Sequence, residues 1–339
     1  MPNRSNRARL WSSLLGLAVS AGLLFLIVRQ VDLRQVREHL AGARALPLAA
    51  AVALATATFP LRAIRWRLLL RAAGGGPLPW PALWHATALG FMANNVLPFR
   101  AGELVRPFAV TRLAGARFSA ALSSIAVERI FDALTIAFLL GLALLGTGLA
   151  PGAAVGGVSL RHATLVAGAL ALAGLLVALL VVTQPLAAER AIRRLFPPGR
   201  LADRLVSLIE GVRHGLAVLN SPARVAGVAA WSVALWLVNA LSFYVAFAAF
   251  DIRVGYAGAL VLQGLLVLGV AVPSTPGYLG PFEAAIVAAL ALYGVPSASG
   301  FSYAIAYHVT TFIPITLLGL WSLARTPVGL GDLRRSAVS

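Results

Sequence analysis

Glu103, Glu128, Asp132 and Glu283 fall within or at the edge of runs that are otherwise apolar. An ionised side chain at the centre of a bilayer costs about 2.5 to 3.5 kcal/mol even on the gentler insertion scale, so these four carboxylates are expected to be paired. Glu128 and Asp132 are four apart on one helix face, Arg129 reaches Asp132 at a spacing of three, and Arg100 and Arg106 are the other cations at hand. Two readings of such a set stand side by side. One is a polar cluster that binds an anionic headgroup through Arg and passes protons through Glu or Asp. The other is a buried salt-bridge network that locks helices together.

The elements that must position these residues are two interrupted segments. Phe91 to Pro107 carries Asn94, Asn95, Pro98, Arg100, Gly102, Glu103 and Arg106, and Val272 to Glu283 carries three Pro and two Gly, Gly277 among them, with Ser274 and Thr275. Backbone broken by Pro and Gly cannot lie against lipid tails and must face protein or a wet cavity. Paired interruptions of this kind point to a site built from broken helices, where exposed amides or a half-helix N-terminus could hold a phosphate. Simple kinks are the competing explanation for the second segment.

Composition sets the frame. Of 339 residues, 60% are hydrophobic and 12% charged, about half the charged fraction of a soluble domain, and the mean hydropathy is +0.87. The chain is therefore expected to be an all-α polytopic membrane protein. It has no Cys, and all 28 basic residues are Arg, which excludes thiolate chemistry, a P-loop lysine and a Schiff base. The net charge of +17 fits arginines flanking membrane spans and meeting anionic lipids, not nucleic acid. The five His are scattered without metal-ligand spacing. No cofactor is expected, and the chain reads as a non-enzyme.

Arg4, Arg7 and Arg9 precede a first span that runs to Val28, and residues 29 to 44 read as a short amphipathic surface helix. A second span from about Leu46 to Leu70 ends in Arg62, Arg65, Arg67 and Arg71, a cytoplasmic signature. Trp80 to Pro98 has cytoplasmic flanks on both sides and so enters and returns. Spans follow at about Phe118 to Leu149, Ala163 to Val182, Arg224 to Phe250, Tyr256 to Val272 and Phe301 to Leu323, with a broken segment at Pro273 to Tyr293 and a cytoplasmic connector at 184–223. Both termini are then cytoplasmic. The expected architecture is a single integral membrane domain over 1–339, with about eight transmembrane helices and one or two re-entrant or broken segments.

Three ordered blocks carry a family resemblance. They are Asn94-Asn95-x-x-Pro98-x-Arg100-x-Gly102-Glu103-x-x-Arg106, Glu128-Arg129-x-x-Asp132 and Pro273-Ser274-x-Pro276-Gly277-x-x-Gly280-x-x-Glu283, joined by the Arg65-Trp66 pair. This pattern resembles the lysylphosphatidylglycerol synthase transmembrane region, a flippase-like integral membrane family, over nearly the whole chain. The resemblance implies lipid handling in the inner membrane. Its best-known members join this region to a soluble aminoacyl transferase domain and move the aminoacylated phospholipid between leaflets. A chain that ends at Ser339, soon after its last span, is expected to lack that domain. The function expected is translocation of a phospholipid or a polyprenyl-phosphate-linked headgroup, with a lipid-binding scaffold for a separate lipid-modifying enzyme as the alternative. Arg100, Arg106 and Arg129 would neutralise the phosphate. Glu103, Glu128, Asp132 and Glu283 would hold those arginines or couple to protons, and Asn94, Asn95, Ser274 and Thr275 would bond the headgroup.

Overall fold

The computed structural model describes residues 17–29, 31–72, 78–97, 100–146, 149, 152–155, 157–184, 189–190, 193–194, 199, 221–271 and 275–329. Several sequence features lie outside that set: Arg4, Arg7 and Arg9, the turn at Gly74 to Pro77, Pro98, Pro273 and Ser274, and most of the connector at 184–223. What is described is helical apart from a small hairpin, Ala154–Val155 paired antiparallel with Val158–Ser159. Helix α1 covers Leu17–Val28, and α2 covers Leu33–Ala41. Asp32 caps α2 by accepting the Arg34 N–H at 2.8 Å, and its one buried side chain, Val36, packs against Ala298 and Phe301.

Among the described residues, four helices are long and apolar enough to cross a membrane: α3 (Ala45–Ala72), α6 (Phe118–Gly146), α8 (Pro222–Phe247, continued by one 3-10 turn) and α11 (Ser297–Ala324). Helix α7 (Leu160–Thr183) runs back along α6, with Gly168 beside Ala137 and Gly174 beside Ile130. Along α3 the buried positions Ala51, Ala55, Phe59, Arg62, Arg65, Trp66 and Leu69 recur at helical spacing. That face packs antiparallel on α8, Leu68 opposite Gly227 and Arg65 opposite Ser232. Small alanines let the two backbones approach, which matters in lipid, where helix association relies on close packing.

Arg62 and Arg65 require a correction. They were expected to mark a cytoplasmic helix end, yet α3 continues to Ala72 and both are buried, Arg65 between α6 and α8 and Arg62 against Phe91 and Trp236. A count of flanking arginines cannot tell an arginine beyond a span from one inside its last turns, because both stand at the end of an apolar run.

The two interrupted segments are helical hairpins. Helix α4 (Trp80–Val96) turns back into α5 (Gly102–Ala114), and the pairing is antiparallel: Asn94 meets Gly102, while Gly90 meets Gly102 and Arg106. Glu103 sits in the first turn of α5, where a negative charge opposes the helix dipole, and Gly115 at φ 66 ends it. Helix α9 (Tyr256–Val270) likewise turns back into α10 (Pro281–Ala291), with Gly269 against Ala285 and Gly258 against Tyr293. The first hairpin follows the Arg71 end of α3, and the second follows the opposite end of the bundle. Their tips meet in its middle, where Arg100 Nη2 donates to the Val270 carbonyl at 2.7 Å. One apolar cluster gathers α8, α9, α10, α11 and the far half of α6; a second gathers α4, α5 and the near halves of α3 and α6.

Gly102 is fixed by this close approach, since a Cβ there would lie 1.9 Å from the Gly90 carbonyl oxygen. Gly102→Ala should therefore lower the thermal unfolding temperature in detergent by the equivalent of about 2 kcal/mol or more. Gly141→Ala, inside α6 with nothing within 4 Å, should not lower it, since alanine is the better helix former. Equal melting of both variants would refute the hairpin packing.

Candidate functional site

Arg65 is completely buried on α3, and three partners converge on its guanidinium. Nη1 donates to Asp132 Oδ1 at 2.5 Å and to Ser232 Oγ at 2.9 Å, while Nη2 lies 3.1 Å from Glu128 Oε1. Trp236 on α8 adds its indole N–H to Asp132 Oδ1 at 2.8 Å. Glu128 is equally buried and also takes a bidentate pair from Arg106, at 2.9 and 3.0 Å. The Arg106 guanidinium lies 4.1 Å from the Trp66 ring centroid, and Trp66 is held by its indole N–H on Ser124 Oγ at 2.9 Å. Planar guanidiniums suit this role because each can address two acceptors in fixed geometry.

Above this buried layer the arginines reach an open space. Arg129, its side chain 40% exposed, spans Glu128 Oε1 at 3.0 Å, Asp132 Oδ2 at 3.4 Å and Glu103 Oε1 at 3.9 Å. Arg62 has no carboxylate within ion-pair distance among the described residues; its guanidinium instead lies over Phe91 at 4.9 Å and Trp236 at 5.6 Å. Arg100 has a positive φ of 52, binds the Val270 carbonyl at the C-terminus of α9, and lies 5.8 Å from the Tyr278 ring. An uncommon backbone region for a side-chain-bearing residue, held by contacts on both sides, marks a position fixed by its surroundings.

These groups line a cavity of about 310 Å³ walled by α3, α4, α5, α6, α8 and the second hairpin's tip. It sits deep in the bundle. Asp132 is near the middle of α6, roughly 20 Å from either end at about 1.5 Å per residue. Five guanidiniums, of Arg62, Arg65, Arg100, Arg106 and Arg129, face three carboxylates, of Glu103, Glu128 and Asp132. The excess of two positive charges has no protein counter-ion among the described residues. An unpaired buried charge costs several kcal/mol, so an anion entering the cavity is stabilised there.

The residues singled out in the sequence fall into separate places. Asn94, Arg100, Glu103, Arg106, Arg129 and Asp132 line the cavity, and Glu128 lies directly beneath it. Asn94 also positions α5, its Oδ1 accepting the Gly102 N–H at 2.8 Å. Asn95 points elsewhere, donating to Thr316 Oγ1 at 3.0 Å and so joining α4 to α11. Gly277 makes the left-handed turn at the second tip, beside Phe312. Thr275 bonds Ser20 of α1, through its N–H and its hydroxyl, each at 3.1 Å. Glu283 does not reach the cavity. Its Oε2 accepts the Gly280 N–H at 2.7 Å, capping α10, and its Oε1 meets His308 Nδ1 at 2.6 Å. Ser274 lies outside the described residues.

Arg62, Arg65, Trp66, Trp236 and Tyr278 join the site without having been singled out for it. For the α3 residues a signal existed: Arg62, Arg65 and Trp66 continue the buried stripe of Ala55 and Phe59. Removing Arg65 takes from Asp132 its shortest ion pair and from Glu128 one of three guanidinium partners, whereas removing Arg62 breaks no ion pair among the described residues. Arg65→Met should therefore destabilise the protein by about 2 kcal/mol or more, and Arg62→Met should cost much less, because the cation–π contacts it loses are offset by removal of a buried charge without a carboxylate partner. Thermal unfolding in detergent distinguishes them, and comparable losses would contradict the assignment of partners.

A model of the lysylphosphatidylglycerol synthase transmembrane region matches residues 13–319. The chain belongs to that family. It is 28% identical to a protein of Haloferax volcanii named Glycosyltransferase AglD, over 93% of this chain and 54% of that protein, so it spans about half of that relative's length. It is 25% identical to a UPF0104 membrane protein of Methanothermobacter thermautotrophicus, over 80% of this chain and 81% of that protein. The expectation of a non-enzyme is corrected by the first similarity, since a relative aligned along nearly all of this chain carries an enzyme's name.

Proposed function

We propose that this member of the lysylphosphatidylglycerol synthase transmembrane-region family binds the phosphate of a membrane lipid in the cavity between its two hairpins and carries that headgroup between leaflets. The observation that carries the reading is the excess of two guanidinium charges around a cavity deep in the bundle. Arg62, Arg100 and Arg129 take the phosphate oxygens, and the acyl or prenyl chains stay in the bilayer. Arg65, Glu128 and Asp132 form the fixed floor beneath them. The hairpin tips supply the moving part: the Arg100 contact to Val270 is one hydrogen bond, made and broken at low cost. In the inner membrane, the end bearing Arg67, Arg71, Arg112 and Arg117 faces the cytoplasm by the positive-inside rule, and residues 1–339 act as one membrane unit.

A second reading has its own support in the name of the Haloferax relative. In it the cavity holds a lipid phosphate for glycosyl transfer, by this chain or by a separate lipid-modifying enzyme, without moving it across.

The test uses purified protein in liposomes containing a polyprenyl monophosphate and an added phosphatase that cannot cross the bilayer. The first reading expects the inner-leaflet lipid to become hydrolysed in proteoliposomes and to stay protected in empty vesicles. Arg62→Gln and Arg129→Gln should slow that conversion by about tenfold or more, the loss of one charge-assisted contact each. Inner-leaflet lipid that stays protected despite stoichiometric binding overturns translocation and favours the second reading.

A further inference from the structure

We infer that the cavity selects lipid phosphates whose headgroups carry no ammonium group, favouring a doubly charged phosphate. This rests on the phosphate reading above and sharpens it to a ligand class. The inventory of charged atoms is one-sided. Each carboxylate is already engaged by a guanidinium: Asp132 by Arg65 and Arg129, Glu128 by Arg65, Arg106 and Arg129, and Glu103 by Arg129. Among the described residues of the cavity every carboxylate has a guanidinium within 4 Å, so a ligand cation would have to share one with an arginine. The cations, by contrast, are in surplus, and among the described residues Arg62 and Arg100 meet aromatic faces and a backbone carbonyl but no carboxylate.

A phosphomonoester dianion would cancel the excess of two. A phosphodiester such as phosphatidylglycerol would cancel half of it. A zwitterionic headgroup leaves all of it, and a lysylated phosphatidylglycerol, with two ammonium groups to one phosphate, adds to it. Inside a protein such differences are not screened away, because like charges a few ångströms apart repel far more strongly than in water. The aromatic faces of Phe91 and Trp236 do not offer an alternative cation site, since Arg62 already occupies them.

The experiment is a lipid competition read by native mass spectrometry. Purified, delipidated protein is offered equal amounts of polyprenyl monophosphate, phosphatidylglycerol, phosphatidylethanolamine and an aminoacylated phosphatidylglycerol. The expected order of retention is monophosphate over phosphatidylglycerol, with both ammonium-bearing lipids at least about tenfold below the monophosphate. In Arg62→Gln, which lowers the excess from two to one, the preference for monophosphate over phosphatidylglycerol should shrink. Thermal unfolding confirms that this variant is folded. Equal retention of lipids with and without an ammonium group overturns the inference and leaves the phosphate reading standing. Retention of none of the anionic lipids overturns both.

Discussion

The contact between Arg65 and the two carboxylates Glu128 and Asp132 joins α3 to α6, and through Ser232 and Trp236 to α8. Desolvating three charges is expensive, and a buried pair of this kind gives little net stability compared with apolar packing. What it gives is placement. With both carboxylates fixed, Arg106 and Arg129 are drawn to them in turn, and the α4–α5 hairpin is anchored by Arg106 on Glu128. The cavity is therefore built outward from one ion cluster, with an apolar cluster on either side of it.

That arrangement explains why the hairpins are broken where they are. A continuous helix through Asn94 to Gly102 would carry Arg100 past the cavity, whereas the reversal aims it at the C-terminus of α9. Gly90 and Gly102 permit the legs to touch, and Asn94 supplies the acceptor that the first turn of α5 lacks. The second hairpin is held differently. Glu283 caps α10 and meets His308, and Thr275 is tied to Ser20 on α1, so its polar residues serve the turn itself and not the cavity.

Much of this was legible in the sequence. The block from Asn94 to Arg106 and the Glu128-Arg129-Asp132 triplet stood out because ionised groups inside apolar runs must be paired or functional. Arg62 was hidden by the rule that reads arginines at a span's end as cytoplasmic, and Arg65 stood out only through the Arg65-Trp66 pair of the family pattern, although the spacing of both from Phe59 places them on the buried face. Glu283 misled in the opposite sense. Its position three residues beyond Gly280, at the start of a helix, is also the spacing of a cap, and the capping role is the one observed. Trp236 gave no signal at all: a tryptophan in an apolar run acquires meaning only when tertiary packing brings Asp132 to its N–H.

The most direct measurement is a cryo-electron microscopy map of the protein in nanodiscs containing a polyprenyl monophosphate. The account requires phosphate density in the cavity, in contact with Arg62 and Arg129 and close to Arg100, with the prenyl chain leaving toward the bilayer. A map in which the lipid is bound at the protein surface and those arginines are closed on one another over an empty centre would contradict it.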